Sequence, residues 1–308
     1  MMHTKPYPEW SWSQSRQNMF ESCRRKYYYH YYAAHLGWQN DQPYEVQKIY
    51  RLKQLKNLHL VLGDLIHRIA EMYIQHWRKH QKRYTASDLT HRIRNLLNQA
   101  YIESGNSNQW WESPTQRTML HEIYYYQRLS PEQIKSIKEK IPICVTHLLN
   151  SQSLHEMTHH PHCEWIEVEQ LNNFTYLDTK IYVKLDTLYR LGDKWIIVDW
   201  KTGKEEKEKH NEQLALYALY VHQRYQVPLD QIHIRVENLW TGTCTHHAIN
   251  EQTKSSISEQ LDTKIQQMKS SLTDAKQNIP LPIESFSPTK DVDTCHFCNF
   301  REVCQPKS

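Results

Sequence analysis

Residues 179–202 read TKIYVKLDTLYRLGDKWIIVDWKT, two strand-like runs on either side of Gly192–Asp193. That spacing predicts two strands joined by a two-residue hairpin turn. With Gly192 and Asp193 as the turn, Leu191 pairs with Lys194 and Asp186 falls opposite Asp199. Period two sets Ile181, Val183 and Leu185 on one face, shared with Ile196, Val198 and Trp200, and Leu185 lies opposite Trp200. That face is the expected core. The other face carries Lys184, Asp186, Asp199 and Lys201. Carboxylates facing each other across a ladder repel, so the pairing is costly without a cation between them. A hard, oxygen-seeking divalent ion suits the position. The bland alternative is a surface hairpin with solvated Asp and Lys side chains.

The surrounding chain bounds what such a hairpin can serve. Its 308 residues suffice for one large domain or a core with an added lobe. Only 6 glycines are present and no G-x-x-x-x-G-K-[ST] occurs, which argues against a phosphate loop. A formal charge of +4 permits a nucleic-acid partner without demanding one. No apolar run reaches the length of a membrane span, and the opening MMHTKPYPEWSW lacks a signal segment. The expected location is therefore the cytoplasm, where the 7 cysteines stay reduced and free to bind metal.

Upstream, Ser13 or Ser15 can cap a helix on which Phe20, Cys23, Tyr27 and Tyr31 recur at helical spacing. Arg24, Arg25 and Lys26 can grip phosphates and the tyrosine run can stack bases, against the alternative of a charge cluster beside a core stripe. Residues 62–77 form an amphipathic helix with Leu62, Leu65, Ile66, Ile69 and Tyr73 on its apolar face and His67 beside it. Helices are expected near 87–103, 116–128 and 131–150, where Tyr124, Tyr125 and Tyr126 read as core more readily than as stacking residues. The group His155, His159, His160, His162 and Cys163 lacks zinc spacing and reads as a His-rich loop. Residues 164–171 form a strand leading into the hairpin. After the hairpin come a charged loop at 203–209, a helix at 210–225, strands at 232–239 and 243–249, and a long polar helix at 250–272. The chain closes on Cys295, Cys298 and Cys304, a C-x-x-C-x5-C pattern that supplies three thiolates where an all-cysteine site needs four.

Asp186 with Asp199-Trp200-Lys201 resembles the D…(D/E)xK core of the PD-(D/E)XK nuclease superfamily, and VKLD…IIVDWKTG is similar to its RecB-like branch. The resemblance implies an α/β, restriction-endonuclease-like core, a central mixed sheet flanked by helices, with a helical lobe and a C-terminal Fe–S segment. The divisions it suggests are 1–77 for the N-terminal helices, 78–163 for the lobe, 164–272 for the nuclease core and 273–308 for the cluster segment. Gly63 with Ile66-His67 matches the branch's G…(V/I)H helix and makes His67 a further metal ligand. An acidic residue preceding the Asp186 strand helps hold the metal; Glu169 fits it and Glu167, on the same face, is the rival. Gln213 and Tyr217 match its Q-x-x-x-Y motif, which contacts nucleic acid or orders the lysine. The opening SWSQSRQNMFESCRRKYYYHY resembles RecB-like iron–sulfur nucleases, the AddB subunit of helicase–nucleases and the CRISPR adaptation nucleases among them. That implies Cys23 as the fourth ligand of a [4Fe–4S] cluster with Cys295, Cys298 and Cys304; Zn²⁺ would use the same ligands.

The activity implied is Mg²⁺- or Mn²⁺-dependent cleavage of DNA, on single strands or ends, by an exonuclease rather than an endonuclease. His67, Glu169, Asp186, Asp199 and the backbone carbonyl of Trp200 would hold the metal, and Lys201 would position the attacking water. No helicase motif is present, so any motor is a separate chain. Two other classes compete: a catalytically silent iron–sulfur DNA-end-binding subunit of a helicase–nuclease complex, and a structural zinc module with a solvated hairpin.

Overall fold

The computed structural model describes residues 5–203 and 207–304. The N-terminal helices are α1 (Gln14–Ser22) and α2 (Arg24–Tyr28), followed by a π-helical turn at Tyr29–Ala33 and by α3 (Tyr44–Lys53). Of the two candidate caps Ser13 takes the role, its hydroxyl accepting from the Arg16 N–H. Helix α4 (Leu58–His80) is capped by Asn57 and buries Leu62, Leu65, Ile66, Ile69 and Tyr73, the stripe its spacing predicts. Helices α5 (Ala86–Ser104), α6 (Ser107–Glu112), α7 (His121–Tyr126), α8 (Pro131–Leu149) and α9 (Gln152–His159) follow. Capping boxes at Thr85/Asp88 and Ser130/Gln133 start the two longest.

The strands are β1 (Cys163–Val168), β2 (Leu171–Tyr176), β3 (Thr179–Lys184), β4 (Thr187–Leu191) and β5 (Lys194–Lys201). After α10 (Lys207–Tyr225) come β6 (Ile232–Asn238), β7 (Thr243–Ala248) and α11 (Glu251–Lys269). Two short strands, β8 (Leu272–Asp274) and β9 (Ile279–Pro280), and α12 (Val292–His296) end the fold. The main sheet runs β1-β4-β5-β6-β7; all its pairs are antiparallel except β5 with β6. Helix α10 is the crossover that the parallel pair requires. The architecture is thus α/β, a central mixed sheet of five strands between layers of helices, consistent with a restriction-endonuclease-like fold. The charged loop expected at 203–209 falls partly on residues 204–206, outside the described residues. Among the described residues no helix is long and apolar enough to cross a membrane.

The hairpin has the expected turn, with Gly192 at φ 58° and Leu191 paired to Lys194. Its long first strand is not continuous. The ladder with β5 ends at Thr187–Val198, one step short of Asp186 and Asp199. The chain leaves the sheet at Leu185–Asp186, and β3 pairs instead with β2 in a separate two-stranded sheet.

The expected sharing of one face is corrected accordingly. Ile181, Val183 and Leu185 pack with Leu188, Ile197 and α10, whereas Ile196, Val198 and Trp200 pack on the opposite side with α4, α5, α8 and α9. Both faces of β5 are core, as befits a strand with a parallel neighbour and helices on either side. Asp199 is therefore not on a solvated face; it is 1% exposed. Helices α5, α8 and α9 share their core with the sheet rather than forming a lobe with a core of its own. A third cluster joins Tyr29, Ile49, Leu52 and Trp110 to Cys298 and Phe300, fastening the C-terminal segment to the N-terminal helices.

Candidate active site

Three separate elements deliver one cluster of side chains. The polar edge of α4 supplies His67, the turn after β1 supplies Glu169, and the break between β3 and β4 supplies Asp186. His67 Nδ1 lies 3.0 Å from Glu169 Oε1 and 3.2 Å from Asp186 Oδ1. The three offer ligand atoms within 4.8 Å of one another. The backbone fixes the acids: Glu169 sits at φ 52° and its N–H donates to the Asp186 carbonyl at 2.9 Å. A non-glycine residue in that left-handed region costs on the order of 1 kcal/mol, held here by the ladder on either side. Asp186 Oδ2 accepts from the Trp200 N–H at 2.6 Å, which ties the break back onto β5. The cluster opens into a cleft of about 410 Å³ that Asp64, Arg68, Glu71 and Lys184 also line.

Asp199 and Lys201 lie at the carboxyl end of β5, where open α/β sheets present their ligand sites. Lys201 Nζ is 2.8 Å from Asp199 Oδ2 and donates to Gln213 Oε1 at 3.3 Å. Gln213 in turn donates to the Tyr217 hydroxyl. Tyr217 is 6% exposed, so the pair orders the lysine and Tyr217 offers no surface to a strand. Gly63 of α4 passes close to this strand end; a Cβ there would meet Thr202 Oγ1 at 3.6 Å.

Charge is concentrated and partly neutralised within the cluster. Burial opposes protonation of His67, but the carboxylates of Asp186 and Glu169 outweigh it and raise its pKa well above the ordinary value. Burial raises Asp186; His67 draws it down while Asp199 and Glu169 push it up further. Glu169 is pushed up by burial, yet His67 and Lys184 hold it below its usual range. The group thus retains a proton that a divalent cation would displace. One imidazole among carboxylate oxygens fits Mn²⁺ and Mg²⁺.

The rival acid, Glu167, belongs elsewhere. It is 4% exposed and accepts from Tyr220 at 2.6 Å, from Asn172 at 2.8 Å and from Tyr225. A β-bulge between Trp165 and Glu167 breaks the alternation that sets both acids on one face.

The chain ends meet at the cysteines, none of which is in a disulfide. Cys23 Sγ accepts from the N–H groups of Lys26 and Thr289, each at 3.4 Å, and Cys295 Sγ donates to the Thr289 carbonyl at 3.9 Å. Cys298 Sγ accepts from the Phe300 N–H at 3.4 Å. Burial, then Cys23 and Cys298, push Cys304 up to about 11, a mark of thiols crowded together. The thiols are thus neighbours, with backbone N–H groups aimed at Cys23 and Cys298, but among the described residues the ligand group gathered closely enough to hold an ion is His67, Glu169 and Asp186 and includes no cysteine. Cys144 stands apart, its thiol pushed up to about 11 by burial.

Other expectations meet mixed outcomes. Arg25 donates to the Phe286 carbonyl at 2.7 Å and Arg24 lies over Phe20, while Lys26 is half-buried. Tyr27, Tyr29 and Tyr32 are core residues rather than a base-stacking run. His155 and His159 are on α9, not in a loop, with rings stacked 4.3 Å apart. Two sets of contacts go beyond the sequence reading. Lys184 Nζ is 2.5 Å from Glu169 Oε2, a contact signalled only by its position on the polar face. Tyr124, Tyr125 and Tyr126 grip the cysteine segment through Glu302, the Asn299 carbonyl and His296, with Arg301 stacked over Tyr125 at 3.7 Å.

The fold is thus a mixed sheet carrying a carboxylate–imidazole cluster that could hold a metal ion, with a buried Asp and a lysine at the end of its parallel strand. The chain belongs to the PD-(D/E)XK nuclease superfamily, which it matches over residues 11–305. No curated protein matches it. Among solved structures, one described as "Crystal structure of SSO0001" is 16% identical, with 78% of this chain and 96% of that one aligned at a TM-score of 0.28.

Proposed function

We propose that the chain is a divalent-metal-dependent deoxyribonuclease of the RecB-like iron–sulfur branch, acting exonucleolytically on single-stranded DNA or DNA ends. The observation that carries the reading is the convergence of His67, Glu169 and Asp186 beside the Asp199–Lys201 pair. His67, Glu169, Asp186 and Asp199, with the Trp200 carbonyl, would hold Mg²⁺ or Mn²⁺. The ion supplies an activated water and offsets charge developing on the phosphate. Lys201, paired with Asp199 and aimed by Gln213, orients that water and shares in stabilising the phosphate. Glu169 and Asp186 are pinned to each other and to β5 through backbone N–H groups, so the site is organised before substrate arrives. Cys23, Cys295, Cys298 and Cys304 would hold a [4Fe–4S] cluster that joins the chain ends, a role that the N–H groups aimed at sulfur support.

The test is cleavage of end-labelled single- and double-stranded DNA by protein purified without oxygen. Activity that needs Mn²⁺ or Mg²⁺ and releases nucleotides from ends is expected. Protein that binds ends but leaves them intact in Mn²⁺ would instead be a silent end-binding subunit of a helicase assembly.

A further inference from the structure

The mouth of the cleft carries a cation and an apolar side chain that the metal chemistry leaves unused. Lys184 ends β3, and its Cα partner across the ladder is Leu171, the first residue of β2. Directly opposed residues of an antiparallel pair project to the same side. Lys184 is half exposed and its amine touches Glu169, on the cleft side of the metal cluster. Leu171 is 67% exposed, an uncovered leucine beside the cleft mouth.

Electrostatics gives the lysine a use. Asp64, Glu71, Glu169 and Asp186 line the cleft, with Arg68 and Lys184 as its cations. A polyanionic strand brought here meets these carboxylates. Lys201 is already engaged by Asp199 and Gln213. A divalent ion bound to Glu169 would take over the charge compensation that Lys184 now supplies. The lysine would then be free to meet a backbone phosphate of the strand.

We infer that Lys184 and Leu171 form the substrate-contacting lip of the site, Lys184 binding a backbone phosphate and Leu171 packing against the neighbouring base of an unpaired strand. This rests on the nuclease reading given above. A duplex keeps its bases stacked inside, so an apolar contact at this point favours single strands and frayed ends.

The experiment measures binding of a fluorescent single-stranded oligonucleotide to the full chain, with Ca²⁺ in place of Mg²⁺, across a range of salt. One lost phosphate contact lowers the steepness of log K against log salt by about 0.7 for a single strand. Lys184→Met should show that change with weaker binding, and Lys184→Arg should restore the wild-type slope. Leu171→Ser should weaken binding by about 5-fold with the slope unchanged, because only a base contact is lost. Mn²⁺ affinity is measured separately without DNA. If Lys184→Met tightens Mn²⁺ binding but leaves strand affinity and salt slope at wild-type values, Lys184 is only a counter-ion for Glu169 and the inference falls. A wild-type chain that neither binds nor cleaves the oligonucleotide would overturn the nuclease reading itself.

Discussion

Replacing Asp199 by Asn should separate stability from activity in opposite directions. Asp199 is buried beside Asp186, whose pKa is raised by burial and further by the charges of Asp199 and Glu169. Like charges this close in a buried site cost on the order of 1–3 kcal/mol at an effective dielectric near 20. Asn keeps the shape and removes the charge. One opposing loss is the pair with Lys201, whose side chain is 32% exposed. Partly exposed pairs contribute about 1 kcal/mol. The metal-free Asp199→Asn protein should therefore be as stable as wild type or up to about 1–2 kcal/mol more so, the difference of the two effects. In Mn²⁺ the order reverses. Ligand at 100 times its Kd stabilises the wild-type fold by about 2.7 kcal/mol, and the variant, lacking a ligand, forgoes most of it. At about 2 °C per kcal/mol for a chain of this size, wild type should gain about 5 °C on adding Mn²⁺. Cleavage should fall about 1000-fold. Thermal melts in EDTA and in Mn²⁺, beside an activity assay, test all three. An Asp199→Asn protein destabilised in EDTA by more than 1 kcal/mol, or showing the full Mn²⁺ shift, would refute the charge-crowding argument.

Three further outcomes are expected. His67→Asn replaces the one nitrogen donor by oxygen and should lower the ratio of Mn²⁺- to Mg²⁺-supported cleavage, since imidazole favours the former; an unchanged ratio across a metal titration would place His67 outside the metal's reach. Cys23→Ser, Cys295→Ser, Cys298→Ser and Cys304→Ser should each lose iron, while Cys144→Ser, Cys163→Ser and Cys244→Ser keep the roughly four irons and four sulfides of the proposed cluster; stoichiometric zinc on metal analysis would replace the cluster with a zinc site. Glu156 pairs with Arg235 at 3.0 Å, and although burial pushes its pKa up, Arg235 and Tyr189 hold it below the usual value. A depressed carboxyl stabilises the fold above its unfolded pKa and loses that contribution as pH falls through the folded one. Glu156→Gln should therefore cost about 2–4 kcal/mol at pH 7, and its deficit relative to wild type should shrink as denaturation is repeated below about pH 4.

What was legible in the sequence follows the reach of local rules. The Gly192–Asp193 turn, the register beside it and the stripe of α4 depend on neighbours a few residues away, and all three are present. The break at Leu185–Asp186 left one mark, a change of phase from Ile181, Val183 and Leu185 to Leu188, which the assumption of one continuous strand passes over. Alternation also reports which residues share a side of a strand and not what covers that side. Helix α10 buries the face of β5 expected to be polar, and its contact is made by residues beyond the strand. The choice between Glu167 and Glu169 turned on a bulge and a positive φ, neither of which has a signature in CEWIEVEQ.

The same limit explains the tyrosines of α7. Nothing between residues 121 and 126 announces that their partners lie about 170 positions later, at Glu302, Asn299 and His296. That grip adds to the packing of Cys298 and Phe300 and to the bonds of Tyr29 to the Val303 carbonyl and of Asn299 to the Leu55 carbonyl, in holding a segment whose own regular structure is only α12 and short turns. The thiols of residues 295–304 and Cys23 are brought together by packing from three regions of the chain, as Tyr29, Trp110 and Phe300 show in sharing one core. Any metal bound there reinforces contacts that already exist. The site acids depend on the sheet and α4, and their core holds no residue of the cysteine segment. Loss of the thiol site should thus first loosen the junction of the chain ends, and reach the His67 cluster through the N-terminal helices and through α7, whose Ile123 packs on the same core as α4.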